Sequence, residues 1–134
     1  MTGVVVQNMS FKVGQTLTIT GVPKPNSTNF AINIGTSKDE LALHMNARFN
    51  AHGDERVVVC NSYQGGKWCQ EHREGGFPFN EGEEFKIKMT FTAAEFEITL
   101  SDGSQIHFPN RVGAEKFRYI HFEGDARIKG VEIV

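Results

Sequence analysis

The stretch LALHMNARF, residues 41–49, decides the fold because apolar and polar side chains alternate along its whole length. Its apolar members take every second position: Leu41, Leu43, Met45, Ala47 and Phe49. Successive side chains of a β-strand point to opposite faces of the sheet, so the segment predicts a strand with one buried face. The other face then carries the imidazole, amide and guanidinium of His44, Asn46 and Arg48.

The same alternation recurs along the chain. It is clearest in TLTIT (16–20), NFAINIGT (29–36), EFKIKMTF (84–91), EFEITL (95–100), SQIHF (104–108), FRYIHFEG (117–124) and RIKGVEIV (127–134). Turn residues separate these segments at short intervals, and the only helical candidate, VGAEKF (112–117), is long enough for about one turn. The pattern predicts roughly ten to twelve antiparallel strands in one all-β domain, residues 1–134, arranged as a sandwich or a barrel.

Composition narrows the possible partners. A net charge of −2 and scattered Lys and Arg give no reason to expect nucleic-acid binding. There is no run of 18 apolar residues and no signal-peptide pattern in MTGVVVQNMSFKVG, so we expect neither membrane insertion nor conventional secretion. Two cysteines do not make a disulfide framework, and reduced thiols in a cytoplasmic protein are expected instead.

Further polar residues follow the opening stretch. The hairpin AHGDE (51–55) places His52 and Asp54 at its tip, and the next strand, RVVVCNS (56–62), ends in Asn61. Antiparallel pairing across the short loop brings Asn61 beside His44. Because Asn61 faces outward with His44, its neighbour Cys60 is expected to face the core.

The segment KWCQEHR (67–73) adds the only tryptophan, Trp68, together with Glu71 and Arg73. Residues three apart lie on opposite faces of a regular strand. If Trp68 and Glu71 serve one site, the backbone must kink or bulge between them. A site that includes both residues therefore requires an irregular backbone between residues 68 and 71.

These residue types suit a polyol. Arg donates in a fixed fork, Glu accepts, Asn does both, His does either, and an indole offers a flat apolar surface to C–H groups. Taken singly, each residue is explained by solvated strand surface, turn chemistry or a weak surface ion pair. Taken together within one short block, they favour a sugar site over the alternative of a sandwich module that binds a protein partner.

Catalysis and cofactors are not expected. A glycosidase would need one of Asp54 and Glu71 protonated as a general acid, whereas neighbouring guanidiniums favour the ionised form. The sequence contains no HExxH, no paired CxxC and no phosphate-binding loop. We therefore predict a binding protein that uses neither a metal nor a cofactor.

The ordered set His44-x-Asn46-x-Arg48, Val59-x-Asn61 and Trp68-x-x-Glu71-x-Arg73 resembles the signature of the galectin carbohydrate-recognition domain, and the similarity extends over the whole chain. The chain is most similar to the proto-type galectins, single domains that pair into dimers. The resemblance implies a jelly-roll sandwich of two antiparallel sheets that binds β-galactosides without catalysis. It also implies cross-linking of glycans on glycoproteins and glycolipids, and a cytoplasmic protein released without a signal peptide.

The resemblance assigns roles around galactose. The family residues that match His44, Asn46 and Arg48 read the axial 4-hydroxyl, and the one that matches Trp68 stacks on the apolar face of the sugar. Asp54 stands where it would orient the arginines.

It also assigns roles beyond the 4-hydroxyl. The matches to Asn61 and Glu71 hold the 6-hydroxyl. Arg48, Glu71 and Arg73 would reach the second sugar, and His52 lies where an extended ligand would touch.

One departure from the family concerns Cys69, which stands where members usually have Gly. We expect Cys69 to adopt a β conformation, since positive φ would strain a residue with a Cβ atom. A thiol beside the sugar platform leads to the hypothesis that modification of Cys69 weakens binding.

The apolar terminal segments, Val4–Val6 at the start and Val131 with Ile133 at the end, either tuck into one sandwich or pair with a second copy across a two-fold axis. The resemblance favours the homodimer.

Overall fold

Two antiparallel sheets contain all twelve strands of the computed structural model, which describes residues 4–134. The larger sheet comprises β1 (Val4–Lys12), β3 (Asn29–Ser37), β4 (Glu40–Ala51), β5 (Asp54–Gln64), β6 (Lys67–Trp68), β7 (His72–Arg73) and β11 (Lys116–Gly124). The smaller comprises β2 (Thr16–Pro23), β8 (Phe85–Phe91), β9 (Glu95–Thr99), β10 (Gln105–Pro109) and β12 (Ala126–Ile133). The strand order of the larger sheet is β1-β11-β3-β4-β5-β6, and β7 also pairs with β5. The strand order of the smaller sheet is β10-β9-β8-β2-β12.

The predicted all-β sandwich is confirmed, and the segment VGAEKF forms no helix. No membrane-spanning helix is found in residues 4–134. The alternating segments of the sequence all lie on strands, because each buries one apolar row between the sheets.

The core is built from these apolar rows. Leu43, Met45 and Ala47 of β4 are fully buried, whereas His44 and Arg48 of the alternate row are partly exposed on the outer face. Aromatic rings supply much of the remaining volume, and the fully buried phenylalanines are Phe11, Phe30, Phe79, Phe85, Phe91, Phe96, Phe108 and Phe117. A core of large rigid side chains from both sheets holds the outer face of β4 in one position.

The register of the larger sheet brings polar residues together. His44 pairs with Asn33 of β3 on one side and with Asn61 of β5 on the other, as predicted for Asn61. The β3–β4 pairing shifts next to Gly35, where an added Cβ would lie 2.0 Å from the carbonyl oxygen of Glu40. Only glycine permits that close approach, which sets the hairpin from which His44 projects.

Both terminal strands lie at sheet edges, β1 on the larger sheet and β12 on the smaller. Val4 and Val5 are exposed, while Val6, Val131 and Ile133 pack in part against the core. The termini therefore complete the sandwich and still present apolar surface at its edge.

Candidate functional site

An open groove of about 560 Å³ lies on the outer face of the larger sheet. Its lining includes all eight residues that are predicted to contact the sugar: His44, Asn46, Arg48, His52, Asn61, Trp68, Glu71 and Arg73. Val59 and Cys69 complete it. The structure therefore brings the predicted residues together, from four strands and the loops between them.

Asn46 is buried and fully oriented by hydrogen bonds. Its Nδ2 donates to Asn29 Oδ1 at 3.1 Å and to the carbonyl of Phe30 at 3.0 Å. Its Oδ1 accepts a hydrogen bond from Arg48 Nε at 2.7 Å. Because both amide hydrogens are occupied, Asn46 can offer the groove only its oxygen.

His44 is held by Asn33, whose Oδ1 forms a hydrogen bond with His44 Nδ1. Burial lowers the pKa of His44 from its ordinary value of 6.5 to about 4, with smaller contributions from the charges of Arg48 and His52. The imidazole is therefore neutral at neutral pH. When Nδ1–H donates to Asn33, the other ring nitrogen, Nε2, is an acceptor.

We expect the ring of His44 to titrate near pH 4. Between pH 6.5 and 4 the unfolded chain binds a proton that the folded chain does not. The free energy of unfolding should therefore fall with decreasing pH, by up to about 3 kcal/mol from this group. An NMR titration of the histidine ring protons measures the pKa, and His44→Gln identifies the resonance. The prediction is wrong if that resonance titrates above pH 5.5.

Two arginines and two carboxylates form a network beside this row. Asp54 bridges Arg48, at 2.6 Å, and Arg73, at 2.7 Å. Glu71 lies 2.9 Å from Arg73 and 3.7 Å from Arg48. The hydrogen bonds that Asp54 accepts from Arg73 and then Arg48 lower the pKa of Asp54, and the hydrogen bonds that Arg73 donates to Asp54 and Glu71 raise the pKa of Arg73. Charged donors and acceptors are thus aligned in the groove before any ligand arrives.

The turn between β4 and β5 places Asp54 in that network. His52 and Gly53 have φ values of 54° and 81°, the positive pair required by a two-residue type I′ hairpin turn. Asp54 is the first residue of β5 and pairs with Ala51, while Arg48 is six residues earlier on β4. The tight turn therefore returns the carboxylate to the arginine.

The predicted irregularity after Trp68 is confirmed. Trp68 pairs with Tyr63, whereas His72 pairs with Cys60, so four residue steps on one side face three on the other. The extra residue is a bulge, and it turns both Trp68 and Glu71 toward the groove. The indole is 53% exposed, with ring centroids 4.6 Å from His44 and 4.9 Å from Tyr63.

Asn61 is buried and held from three sides. Its Nδ2 donates to the carbonyl of Cys69, and its Oδ1 accepts from the backbone of Ser62 and from Arg111. Arg111 also donates to Ser62 Oγ and stacks over Phe108. One amide hydrogen of Asn61 is left to face the groove.

The residues that orient the predicted set were not predicted from the sequence; they are Asn29, Asn33, Ser62 and Arg111. The polar positions of NFAINIGT could have indicated Asn29 and Asn33, since they share the outer face with β4. Nothing local indicates Arg111, which reaches Asn61 from 50 residues away.

The two thiols differ as predicted. Cys60 is buried, and burial raises its pKa to about 12. Cys69 is exposed at the groove, and it is not among the residues with positive φ, so it escapes the strain that positive φ would impose.

Comparison with known proteins agrees with this geometry. The family model described as galactoside-binding lectin matches residues 2–133. A β-galactoside-binding lectin of Electrophorus electricus is 61% identical over 133 residues, which cover 99% of this chain and 98% of that protein.

Solved structures of similar lectins also match nearly the whole chain. Galectin-1-L2 of Dario rerio has a TM-score of 0.95 and 67% identity, over 98% of this chain and 99% of that one. Congerin II liganded with lactose and MES has a TM-score of 0.94 and 40% identity, and the match covers 99% of this chain and 100% of that one. CG-16, a homodimeric agglutinin from chicken liver, has a TM-score of 0.93 and 35% identity, and the match covers 99% of this chain and 100% of that one. The fold is the jelly-roll sandwich of these proteins, and the chain belongs to the galactoside-binding lectin family.

Proposed function

We propose that the groove binds β-galactosides such as lactose and N-acetyllactosamine, and that the protein acts by cross-linking galactose-terminated glycans. The observation that carries this proposal is the fixed donor and acceptor set on β4, backed by the arginine–carboxylate network. The family consists of sugar-binding proteins rather than enzymes, and the alternative of an interaction module without sugar specificity has no support from it.

The outward-facing residues His44, Asn46 and Arg48, here called the β4 row, suit one axial hydroxyl. Neutral His44 offers an acceptor at Nε2, Asn46 offers only its oxygen, and Arg48 keeps N–H groups that neither Asn46 nor Asp54 occupies. A hydroxyl both donates and accepts, so the 4-hydroxyl of galactose can engage this set at once. The equatorial 4-hydroxyl of glucose points elsewhere and leaves these groups unpaired.

The rest of the groove accommodates the remainder of a disaccharide. Trp68 offers an exposed flat surface to the apolar face of galactose. Asn61 directs its free N–H, and Glu71 an acceptor, to the 6-hydroxyl, while Arg48 and Arg73 extend toward the second sugar. His52 stands at the rim for longer glycans.

Affinity chromatography tests the proposal with a matched pair of sugars. The protein should be retained on immobilised lactose and eluted by free lactose. Cellobiose, which differs from lactose only in the configuration of one 4-hydroxyl, should not elute it. Failure to bind lactose, or equal elution by both sugars, would show that the β4 row does not read this hydroxyl.

The two thiols differ in exposure, so a thiol reagent can test the role of Cys69. Iodoacetamide should modify Cys69 alone in the native protein, because Cys60 is buried. Since Cys69 lines the groove, the alkylated protein should bind lactose more weakly. Titration calorimetry before and after alkylation measures the effect, and Cys69→Ser should be insensitive to the reagent. Unchanged lactose affinity after complete alkylation would contradict the hypothesis.

We propose that cross-linking requires a homodimer formed through the terminal strands. The edge strands β1 and β12 carry apolar residues, and Val4 and Val5 are 45% and 49% exposed. Pairing two such edges across a two-fold axis would cover this surface. CG-16, which has the same fold, is described as a homodimeric agglutinin.

At micromolar concentration, sedimentation should give about 30 kDa, twice the 15.0 kDa of one chain. Val5→Glu should lower the mass to that of a monomer and abolish agglutination while lactose binding by each domain remains. The substitution Ala93→Glu, at an exposed position in the turn between β8 and β9, serves as control. A wild-type mass that stays near 15.0 kDa would exclude the dimer.

We also propose a cytoplasmic protein that reaches cell-surface glycoproteins and glycolipids without a signal peptide. The two unpaired thiols suit a reducing compartment. Release from cells that continues when vesicular transport from the endoplasmic reticulum is blocked would support this route, and release that stops would exclude it.

A further inference from the structure

A second cluster of ligating side chains lies on the smaller sheet. Glu95 and Glu97 are two residues apart on β9 and so share a face, and His107 of β10 pairs directly with Glu97. One ligand atom from each of the three residues lies within 4.8 Å of those of the other two. No sequence motif marks this cluster, because its members come from two strands joined by a turn.

The cluster is already partly organised. His107 Nδ1 lies 2.8 Å from Glu95 Oε2, and the backbone N–H of His107 donates to Glu74 Oε1 at 3.1 Å. The side chains of His107 and Glu95 are 45% and 33% exposed, so the cluster is open to solvent. The pairing of β9 with β10 fixes the backbone positions of Glu95, Glu97 and His107 relative to one another. Only rotations of their side chains are then needed to surround an ion.

Charge at the cluster favours a cation. Within residues 4–134 neither Glu95 nor Glu97 forms an ion pair with a lysine or an arginine. His107 forms a hydrogen bond with Glu95, and the negative charges of Glu95, Glu74 and Glu97 all act on its imidazole. The site therefore combines one imidazole with two carboxylates that form no ion pair with a lysine or an arginine of the described residues.

We propose that Glu95, Glu97 and His107 bind a zinc-type divalent metal ion. Zinc takes histidine nitrogen and carboxylate oxygen at about 2.0–2.2 Å in tetrahedral geometry, and water can fill the fourth position. The imidazole disfavours calcium and magnesium, which take oxygen ligands, and the absence of a thiolate from this trio disfavours softer ions. Tetrahedral geometry at these bond lengths places ligand atoms roughly 3.4 Å apart. His107 Nδ1 and Glu95 Oε2, which are 2.8 Å apart, must therefore separate, and ligand atoms near the 4.8 Å limit must approach one another.

This metal site is separate from the proposed sugar site. The sugar groove lies on the larger sheet, and the cluster lies on β9 and β10 of the smaller sheet. Zinc has competing ligands in the groove, namely the imidazoles of His44 and His52 and the thiol of Cys69. Saturating lactose and the Cys69→Ser background separate these possibilities.

Zinc chloride titrated calorimetrically into the full-length Cys69→Ser protein, with and without saturating lactose, tests the proposal. We expect one zinc ion per chain, and binding that lactose does not displace. His107→Gln and Glu97→Gln should each lower zinc affinity by at least about tenfold, since even the loss of a ligand's hydrogen-bonding partner costs on the order of 10–100-fold. Both substitutions are on an exposed strand face, and a thermal scan without zinc confirms that the variants are folded.

His121→Gln is the matched control, because His121 also lies beside a carboxylate, that of Glu123, outside the cluster. Its zinc affinity should equal that of the parent protein. The proposal is overturned if no zinc binds, if lactose displaces the ion, if His107→Gln leaves the affinity unchanged, or if His121→Gln lowers it equally. Failure of the wild-type protein to bind lactose would contradict the proposed function and leave the zinc result intact.

Discussion

Arg48→Ala is expected to lower lactose affinity more than 100-fold and to leave the protein folded. Arg48 is 11% exposed and contacts Asn46, Asp54 and Glu71. The proposed bonds from its guanidinium to the sugar are charge-assisted, and each contributes about 1.5–3 kcal/mol, so losing two costs about 3 kcal/mol or more. A loss of that size corresponds to more than about 100-fold in affinity.

The fold should tolerate this substitution because no buried charge is left alone. Asp54 and Glu71 each keep a hydrogen bond from Arg73, at 2.7 and 2.9 Å. Arg48→Lys should also lose most of the affinity, since one ammonium group cannot reproduce the planar fork that reaches Asn46, Asp54 and the ligand together.

Titration calorimetry with lactose and a thermal unfolding scan separate the two effects. Arg118→Ala, at an exposed position of β11 outside the groove, serves as control and should match the wild type in both measurements. Wild-type affinity in Arg48→Ala would remove Arg48 from the site, and unfolding of both Arg48 variants with normal binding at low temperature would assign it to stability alone.

Trp68→Ala should weaken lactose binding by roughly 30-fold or more with almost no change in the free energy of unfolding. The side chain is 53% exposed in the free protein, so truncation removes little buried surface. In the complex the indole would be covered by the sugar, and truncating an aromatic anchor of this kind typically costs about 2 kcal/mol or more.

Two further variants distinguish a flat platform from general apolar contact. Trp68→Phe keeps a planar ring and should retain part of the affinity, whereas Trp68→Leu keeps apolar area without a flat face and should bind almost as weakly as Trp68→Ala. Equal affinities of the Phe and Leu variants would contradict stacking. Because Trp68 is the only tryptophan, its fluorescence in the wild type should change on lactose binding and report the same site.

Strand positions and the residues that share a face could be predicted from the sequence. The alternation in LALHMNARF is a local property with period two, and it separates the buried row of Leu43 and Met45 from the outward row of His44 and Arg48. Any strand with this pattern must bury its apolar side, so the assignment needs no knowledge of the neighbouring strands. The pairing of His44 with Asn61 was accessible too, since a short hairpin restricts the register.

The orientation of those groups was decided by the tertiary structure alone. Asn33 and Arg111 fix His44 and Asn61 through hydrogen bonds that depend on sheet order and on a distant loop. The cluster of Glu97 and His107 likewise exists only because β9 pairs with β10 in one register. Local patterns determine which way a side chain points, whereas long-range pairing determines which groups it meets, and alternation in the sequence contains no record of that pairing.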